Sequence, residues 1–257
     1  MKKALVVLLV MLVSAGLFAD FTWMQLNLYE AVGLANPFGD TYNDTYFEIE
    51  GGGRTGILNF YYFFDANHIF GQGENAFGAE SPANSGDFFT KINPRFSLTK
   101  LMGREKCFGP IKESYIAAVY KGFNGGENYY IGIGTDLAIP FFDMFSLNLY
   151  QKIDNTSFGA DMEPAGFVAM INWYTNVKKF SDDFNLTYQG WSDFGFANTY
   201  SEDNGGEATE WQMFNGFFWN YKKWSLSTNV KLHKNFLYSS ANNHDATSFF
   251  FGLHRRF

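Results

Sequence analysis

From Phe21 onward, stretch after stretch of the chain alternates polar and apolar residues with a period of two, and no window of comparable length repeats at helical spacing. A strand sends successive side chains to opposite faces, so the pattern describes strands whose two faces meet different surroundings. Phe145, Leu147 and Leu149 interleave with Ser146, Asn148, Tyr150 and Lys152. Trp224, Leu226, Thr228, Val230 and Leu232 interleave in the same way with Ser225, Ser227, Asn229, Lys231 and His233. Leu58, Phe60, Tyr62 and Phe64 alternate with Asn59, Tyr61, Phe63 and Asp65, and Phe88, Thr90, Ile92 and Phe96 with Phe89, Lys91, Asn93 and Arg95. With their turn signals, such stretches give about twelve strands, near 22–33, 44–53, 56–66, 87–98, 111–121, 127–136, 143–153, 164–175, 183–192, 208–220, 223–233 and 247–257.

An apolar face on every strand has to meet either another sheet or lipid. The 31 Phe, 15 Tyr and 6 Trp exceed what one soluble core of this size requires, and a periplasmic β-sandwich, the soluble alternative, would not need so many aromatics on one face. Connections alternate between longer polar segments (34–43, 67–86, 154–163, 193–207, 234–246) and shorter ones such as 54–55, 137–142 and 221–222, with 99–110 and 122–126 breaking the rhythm. Long loops at one end and short turns at the other are the asymmetry of a membrane barrel. In hydrocarbon, moreover, every backbone N–H and C=O must be satisfied, which a sheet achieves only by closing on itself. The expected fold is therefore all-β: a closed antiparallel transmembrane β-barrel of about twelve strands, with no linker and no second domain.

Both ends of the sequence fit that reading. Lys2 and Lys3 precede an apolar run from Ala4 to Phe18, and Ala19 precedes Asp20, so residues 1–19 read as a secretory signal and 20–257 as one outer-membrane barrel domain. A retained membrane anchor is the alternative. Phe249, Phe251, Leu253 and Phe257 fall on one alternating face, and a final strand ending on Phe is the form that the barrel-assembly machinery recognises. Arg255 takes a place in that row usually held by an aromatic, from which it can snorkel to lipid headgroups. A formal charge of −7 disfavours a nucleic-acid partner, and a single cysteine, Cys107, excludes a disulfide framework and a zinc ribbon.

No catalytic residue or metal ligand is assigned. The histidines at 68, 233, 244 and 254 lie in loops or at strand ends with no nucleophile motif beside them, and His68 with Asp65 reads as a solvated pair at a loop edge. Gly51 to Gly53 reads as a turn, and Gly132 and Gly134 as positions that make room inside the barrel. The inward face is more informative. If Phe47 and Ile49 meet lipid, Glu48 and Glu50 face the lumen, together with Asp65, Lys91, Arg95, Glu113, Lys152 and Lys231. These charges describe either a wet channel or ion pairs that merely hold a narrow barrel. Tyr46, Tyr61, Phe63, Phe89, Tyr115, Tyr150 and Tyr174 point inward as well, which suits a flat heterocycle carrying a polar sugar better than a small ion.

Several segments in order carry a resemblance: Asn43-Asp44-Thr45-Tyr46-Phe47-Glu48-Ile49-Glu50, Phe60-Tyr61-Tyr62-Phe63-Phe64-Asp65-Ala66, Pro94-Arg95-Phe96-Ser97-Leu98-Thr99-Lys100-Leu101, Phe108-Gly109-Pro110-Ile111-Lys112-Glu113 and Tyr130-Ile131-Gly132-Ile133-Gly134-Thr135-Asp136. Their sequence and spacing resemble the Tsx family of nucleoside-specific outer-membrane channels over roughly residues 22–153, and thin afterwards to stretches such as Asn220-Tyr221 and Trp224. The resemblance implies passive, selective diffusion of nucleosides and deoxynucleosides through a twelve-stranded barrel, with no cofactor. It also implies that Phe38 and Gly39 match the family's Phe-Gly pair at the pore mouth, which influences nucleoside passage. The expected nucleoside contacts are Phe38 and Gly39, ring faces of Tyr61, Phe63 and Phe89, and polar contacts from Asp65, Lys91 and Arg95. The expected surroundings are outer-membrane lipid and a monomeric barrel; an adhesin or receptor acting through its loops is the alternative function.

Overall fold

Wherever the sequence alternates, the chain runs as a strand, and each strand hydrogen-bonds to the next. The computed structural model describes residues 20–36, 40–71, 88–156, 159–239 and 245–257. The strands are β1 (Phe21–Leu34), β2 (Tyr42–Thr55), β3 (Leu58–Ala66), β4 (Phe88–Ser97), β5 (Ile111–Phe123), β6 (Gly126–Leu137), β7 (Met144–Thr156), β8 (Glu163–Lys179), β9 (Phe184–Phe196), β10 (Glu210–Tyr221), β11 (Trp224–Lys234) and β12 (Ala246–Arg256). All neighbours are antiparallel, and β12 returns to β1, with Gln25 opposite Arg256 and Val32 opposite Phe249. The barrel is thereby closed and has no free edge. Among the described residues no helix is long and apolar enough to cross a membrane. The segment read as a signal lies outside the described residues, as do Phe38 and Gly39.

The register fixes which face each residue occupies. Leu147 and Leu149 of β7 and Leu226 of β11 are exposed on the outer face, while Asn148, Tyr150, Lys152 and Asn229 are buried inside. Leu226 is 59% exposed and Asn229 only 5%, the reverse of a water-soluble surface and the arrangement hydrocarbon requires.

One feature differs from the expectation. Gly51 to Gly53 is not a turn but lies within β2; the turn follows at residues 56–57. The glycines are there because aromatic rings crowd the strand: a Cβ at Gly51 would stand 2.6 Å from the Tyr62 hydroxyl, and one at Gly52 3.1 Å from the Trp23 indole nitrogen. The rhythm of the connections breaks where expected. At the end where β1 begins and β12 finishes, called the terminal end below, β4 and β5 are joined by a long segment that opens with the single-turn helix α1 (Leu98–Leu101), whose first turn is capped by the Ser97 hydroxyl accepting from Lys100 N at 3.0 Å. At the far end β5 and β6 are joined by a tight turn at residues 124–125. A second short helix, α2 (Thr199–Asp203), lies between β9 and β10 at the far end.

Inside, the barrel is unevenly filled. Ala117, Val119, Tyr130, Tyr150, Val168 and Met170 pack into an apolar cluster against β5 to β8. A smaller cluster of Tyr29, Ala31 and Phe250, with Tyr46 and Phe214 against it, occupies the seam side. The polar and charged interior lies between them.

Leu147→Arg places a cation on the lipid face and is expected to destabilise the barrel by about 2 to 4 kcal/mol if the position lies near the bilayer midplane. Asn148→Asp, one residue away on the inner face, is expected to cost much less. Urea unfolding in lipid vesicles distinguishes this outcome from an equal effect at both sites, which would contradict the assignment of faces.

Candidate functional site: the barrel lumen

The lumen is built from the inward positions of all twelve strands. On β2 and β3 three carboxylates are neighbours: Glu48 and Glu50 share one face of β2, and Asp65 stands directly across from Glu48. Asn27 of β1 donates to Glu48 Oε1 at 2.5 Å and to Glu50 Oε1 at 3.0 Å. The Tyr61 hydroxyl donates to Glu50 Oε2 at 2.8 Å, and the Gln25 amide also bonds Glu50. Asn27 is itself held by His254, whose Nδ1 donates to Asn27 Oδ1 at 2.7 Å while Nε2 meets the Ser227 hydroxyl at 2.8 Å. Since that amide oxygen can only accept, this bond turns the Asn27 NH2 toward the carboxylates. His254, at a strand end as expected, thus orients the acidic wall.

Lumen cations stand on β2, β4, β5, β7 and β11, with carboxylates among them. Lys91 of β4 stands across from Lys121 of β5. Lys121 Nζ lies 3.5 Å from Asp193 of β9. Lys231 of β11 lies within electrostatic reach of Asp65, Asp193, Lys91 and Lys121. Nearer the terminal end, Arg95 bonds Asp136 Oδ1 at 2.7 Å and lies over the Tyr115 ring at 3.8 Å. Arg54 bridges to both carboxylate oxygens of Glu113 across the interior.

The residues expected to meet a nucleoside divide into groups. Tyr61, Phe63, Asp65, Phe89 and Lys91 come together on adjoining stretches of β3 and β4. Phe63 and Phe89 stack with centroids 5.6 Å apart at 28°, and Tyr61 meets Phe63 edge-on at 6.0 Å. Lys91 stands opposite Phe63, and Asp65 opposite Phe89. Arg95 is inward as well but belongs to a different place: it is buried and committed to Asp136 and Tyr115 in the wall. Phe38 and Gly39 fall outside the described residues. His68 does not pair with Asp65 at a solvated edge. Its Nδ1 lies 3.2 Å from Asp44 Oδ1, with both side chains almost fully buried, so Asp65 is left to the lumen.

Trp191 and Phe214 form a second aromatic pair, nearly parallel at 9° with centroids 6.2 Å apart, and Lys231 Nζ lies 5.4 Å from the Trp191 ring. Alternation alone puts both rings inward, but only their pairing across β9 and β10, Trp191 opposite Phe214, makes them a unit. At the terminal end a polar cavity of about 200 Å³ is bounded by residues including Gln25, Gln189, Asn220, His254, Lys223 and Arg256. Among the described residues no cluster of His, Cys, Asp and Glu is suited to hold a metal.

A closed twelve-strand barrel with an apolar outer belt and an interior of charges and aromatic rings is the architecture of an outer-membrane channel. Comparison with known proteins narrows the class. The chain belongs to the Tsx family: the model of that family, described as "Nucleoside-specific channel-forming protein, Tsx", matches residues 18–252, well past the stretch where the resemblance was legible. The outer membrane protein OmpK of Vibrio parahaemolyticus is 30% identical over 236 residues, covering 90% of this chain and 84% of the relative. The nucleoside-specific channel-forming protein Tsx of Klebsiella aerogenes is 31% identical over 170 residues, covering 63% of this chain and 57% of the relative. Among solved structures, a NanC porin superposes with a TM-score of 0.50 at 8% identity, covering 90% of this chain and 98% of that one, a likeness of fold alone. The protein is thus an outer-membrane channel of the Tsx family.

The acidic wall sets a measurable property. An ion passing a few ångströms from a lumen charge interacts with it by about 1 kcal/mol even at the dielectric of water. Removing negative charge from this wall with Glu48→Gln and Glu50→Gln is therefore expected to lower the cation-to-anion permeability ratio by at least about fivefold. Reversal potentials in a salt gradient across planar bilayers measure this ratio, and no shift would mean that ions do not pass this wall.

Proposed function

We propose that the barrel is a passive channel selecting nucleosides and deoxynucleosides, and that the observation carrying this reading is the stacked Phe63–Phe89 pair set among Asp65, Glu50 and Lys91. A nucleoside joins a flat apolar base to a sugar bearing hydroxyls. The ring faces suit the base, while carboxylates and an ammonium within one or two strand positions suit the hydroxyls and the base edges. Trp191 and Phe214 supply a second such surface beside Lys231. Two separate surfaces favour transport over retention, since a solute shared between weak sites leaves either one readily. The Klebsiella aerogenes relative, named as a nucleoside-specific channel-forming protein, supports the same substrate. In this reading residues 1–19 are the export signal, residues 20–257 a single domain delivered by the barrel-assembly machinery and working as a monomer, and Phe38 and Gly39 the mouth of the path. Arg95 acts by holding the wall.

Stacking of a base on an aromatic side chain is worth about 1 to 3 kcal/mol, so loss of one ring is expected to weaken binding by about tenfold or more. Block of ion current by adenosine in planar bilayers measures that affinity. Phe63→Ala and Phe38→Ala are expected to weaken the block while leaving an open channel. Unchanged block with raised conductance would reduce either ring to a gate or a packing residue.

A further inference from the structure

The lipid-facing surface carries a recess next to the seam between β12 and β1. It has a volume of about 310 Å³ and is bounded by Thr22, Met24 and Phe257 on one side and Phe60 and Tyr62 on the other. Gly52 of β2 lies at its base. Gly51 and Gly53 face the lipid side between Met24 and Thr22 of β1 and Tyr62 and Phe60 of β3, and the Tyr62 and Phe60 rings lean over them, so the recess runs between these rings and the β1 side chains. The result is an apolar furrow on a surface that elsewhere is covered by Leu, Ile and Phe.

Arg255 lies beside the furrow. It belongs to the outward row Phe249, Phe251, Leu253 and Arg255 of β12, and its guanidinium lies 4.8 Å from the Trp224 ring centroid and 5.8 Å from that of Phe257. Phe257 is at once a wall of the furrow and a support of the cation. Among the described residues Arg255 has no ion-pair partner, unlike Arg54 and Arg95 in the lumen. A guanidinium on the lipid face is tolerated near the interface, and the anion it meets there is a lipid phosphate, which it can bind with charge-assisted hydrogen bonds.

We propose that this surface holds one phospholipid of the periplasmic leaflet, with an acyl chain in the furrow between Met24 and Phe257 and the rings of Phe60 and Tyr62, and the phosphate on Arg255. The occupant is lipid rather than protein because the furrow is continuous with the belt facing hydrocarbon and carries a cation at its margin. Chain and headgroup are recognised together, so both halves of the site are needed for retention.

Native mass spectrometry of the folded barrel, stripped of lipid and titrated with phosphatidylglycerol, tests this. The expected result is one lipid retained per wild-type barrel, with affinity lowered about tenfold by Arg255→Gln, which removes the charge, and by Thr22→Trp, which fills the furrow. Lys223→Gln, in the β10–β11 turn beside the polar cavity, is expected to have no effect, and inorganic phosphate is not expected to displace the lipid. Retention of the folded form is checked for each variant by its heat-modifiable mobility in gels. No retained lipid in the wild type, equal loss in Lys223→Gln, or displacement by phosphate alone would overturn the proposal. Should one variant fail to fold, the wild-type stoichiometry and the phosphate competition decide it.

Discussion

Hydrocarbon offers a peptide group no hydrogen-bond partner, and the rest of the structure follows from that constraint. A chain of strands can meet it only when its last strand finds its first, as β12 does along β1 from Gln25 to Val32. Closure sorts the side chains: once the register is fixed, every second residue of every strand faces lipid and the remainder share one enclosed volume. The outer face can satisfy its solvent with apolar side chains alone. The inner face is then free to hold the polar chemistry.

That inner volume is neither an open pipe nor a uniform core. Apolar clusters at Tyr130, Tyr150 and Met170 and at Tyr29 and Phe250 occupy opposite parts of it. Between them, carboxylates on β2 and β3 face ammonium groups on β4, β5 and β11. Buried charges of one sign would repel strongly in so confined a space, and here each wall is stabilised by local partners: Asn27, Gln25 and Tyr61 on Glu50, and Asp193 on Lys121. The same arrangement leaves ring faces of Phe63 and Phe89 beside hydrogen-bonding groups of both signs, a surface complementary to a solute that is itself half aromatic and half hydroxylic. In the proposed function, weak complementarity of this kind admits a solute without trapping it.

The strands and their faces were legible because alternation is a local signal, and lipid imposes it on every strand. Glu48, Glu50, Asp65, Lys91 and Lys231 could be placed inside from their neighbours alone. What local sequence does not contain is the identity of the residue across the sheet. Gly51 to Gly53 carries the composition of a turn, yet the glycines sit within β2 because Tyr62 and Trp23, on adjoining strands, need the space. Its inward position makes Arg95 a candidate solute contact, but its commitment to Asp136 depends on β6, about forty residues away. His68 finds Asp44 across the β2–β3 hairpin rather than its near neighbour Asp65. Trp191 and Phe214 could be placed inward by parity, and only the β9–β10 register reveals them as a stacked pair.

The central claim is that this lumen distinguishes a nucleoside from a polar solute of the same size. Liposome swelling with the purified barrel, comparing adenosine with a sugar of equal size, measures that distinction directly. The account predicts faster swelling with adenosine at low solute concentration, with the advantage shrinking as the stacked sites saturate. Equal rates at every concentration would contradict it and leave a general pore whose aromatic rings serve only to pack its walls.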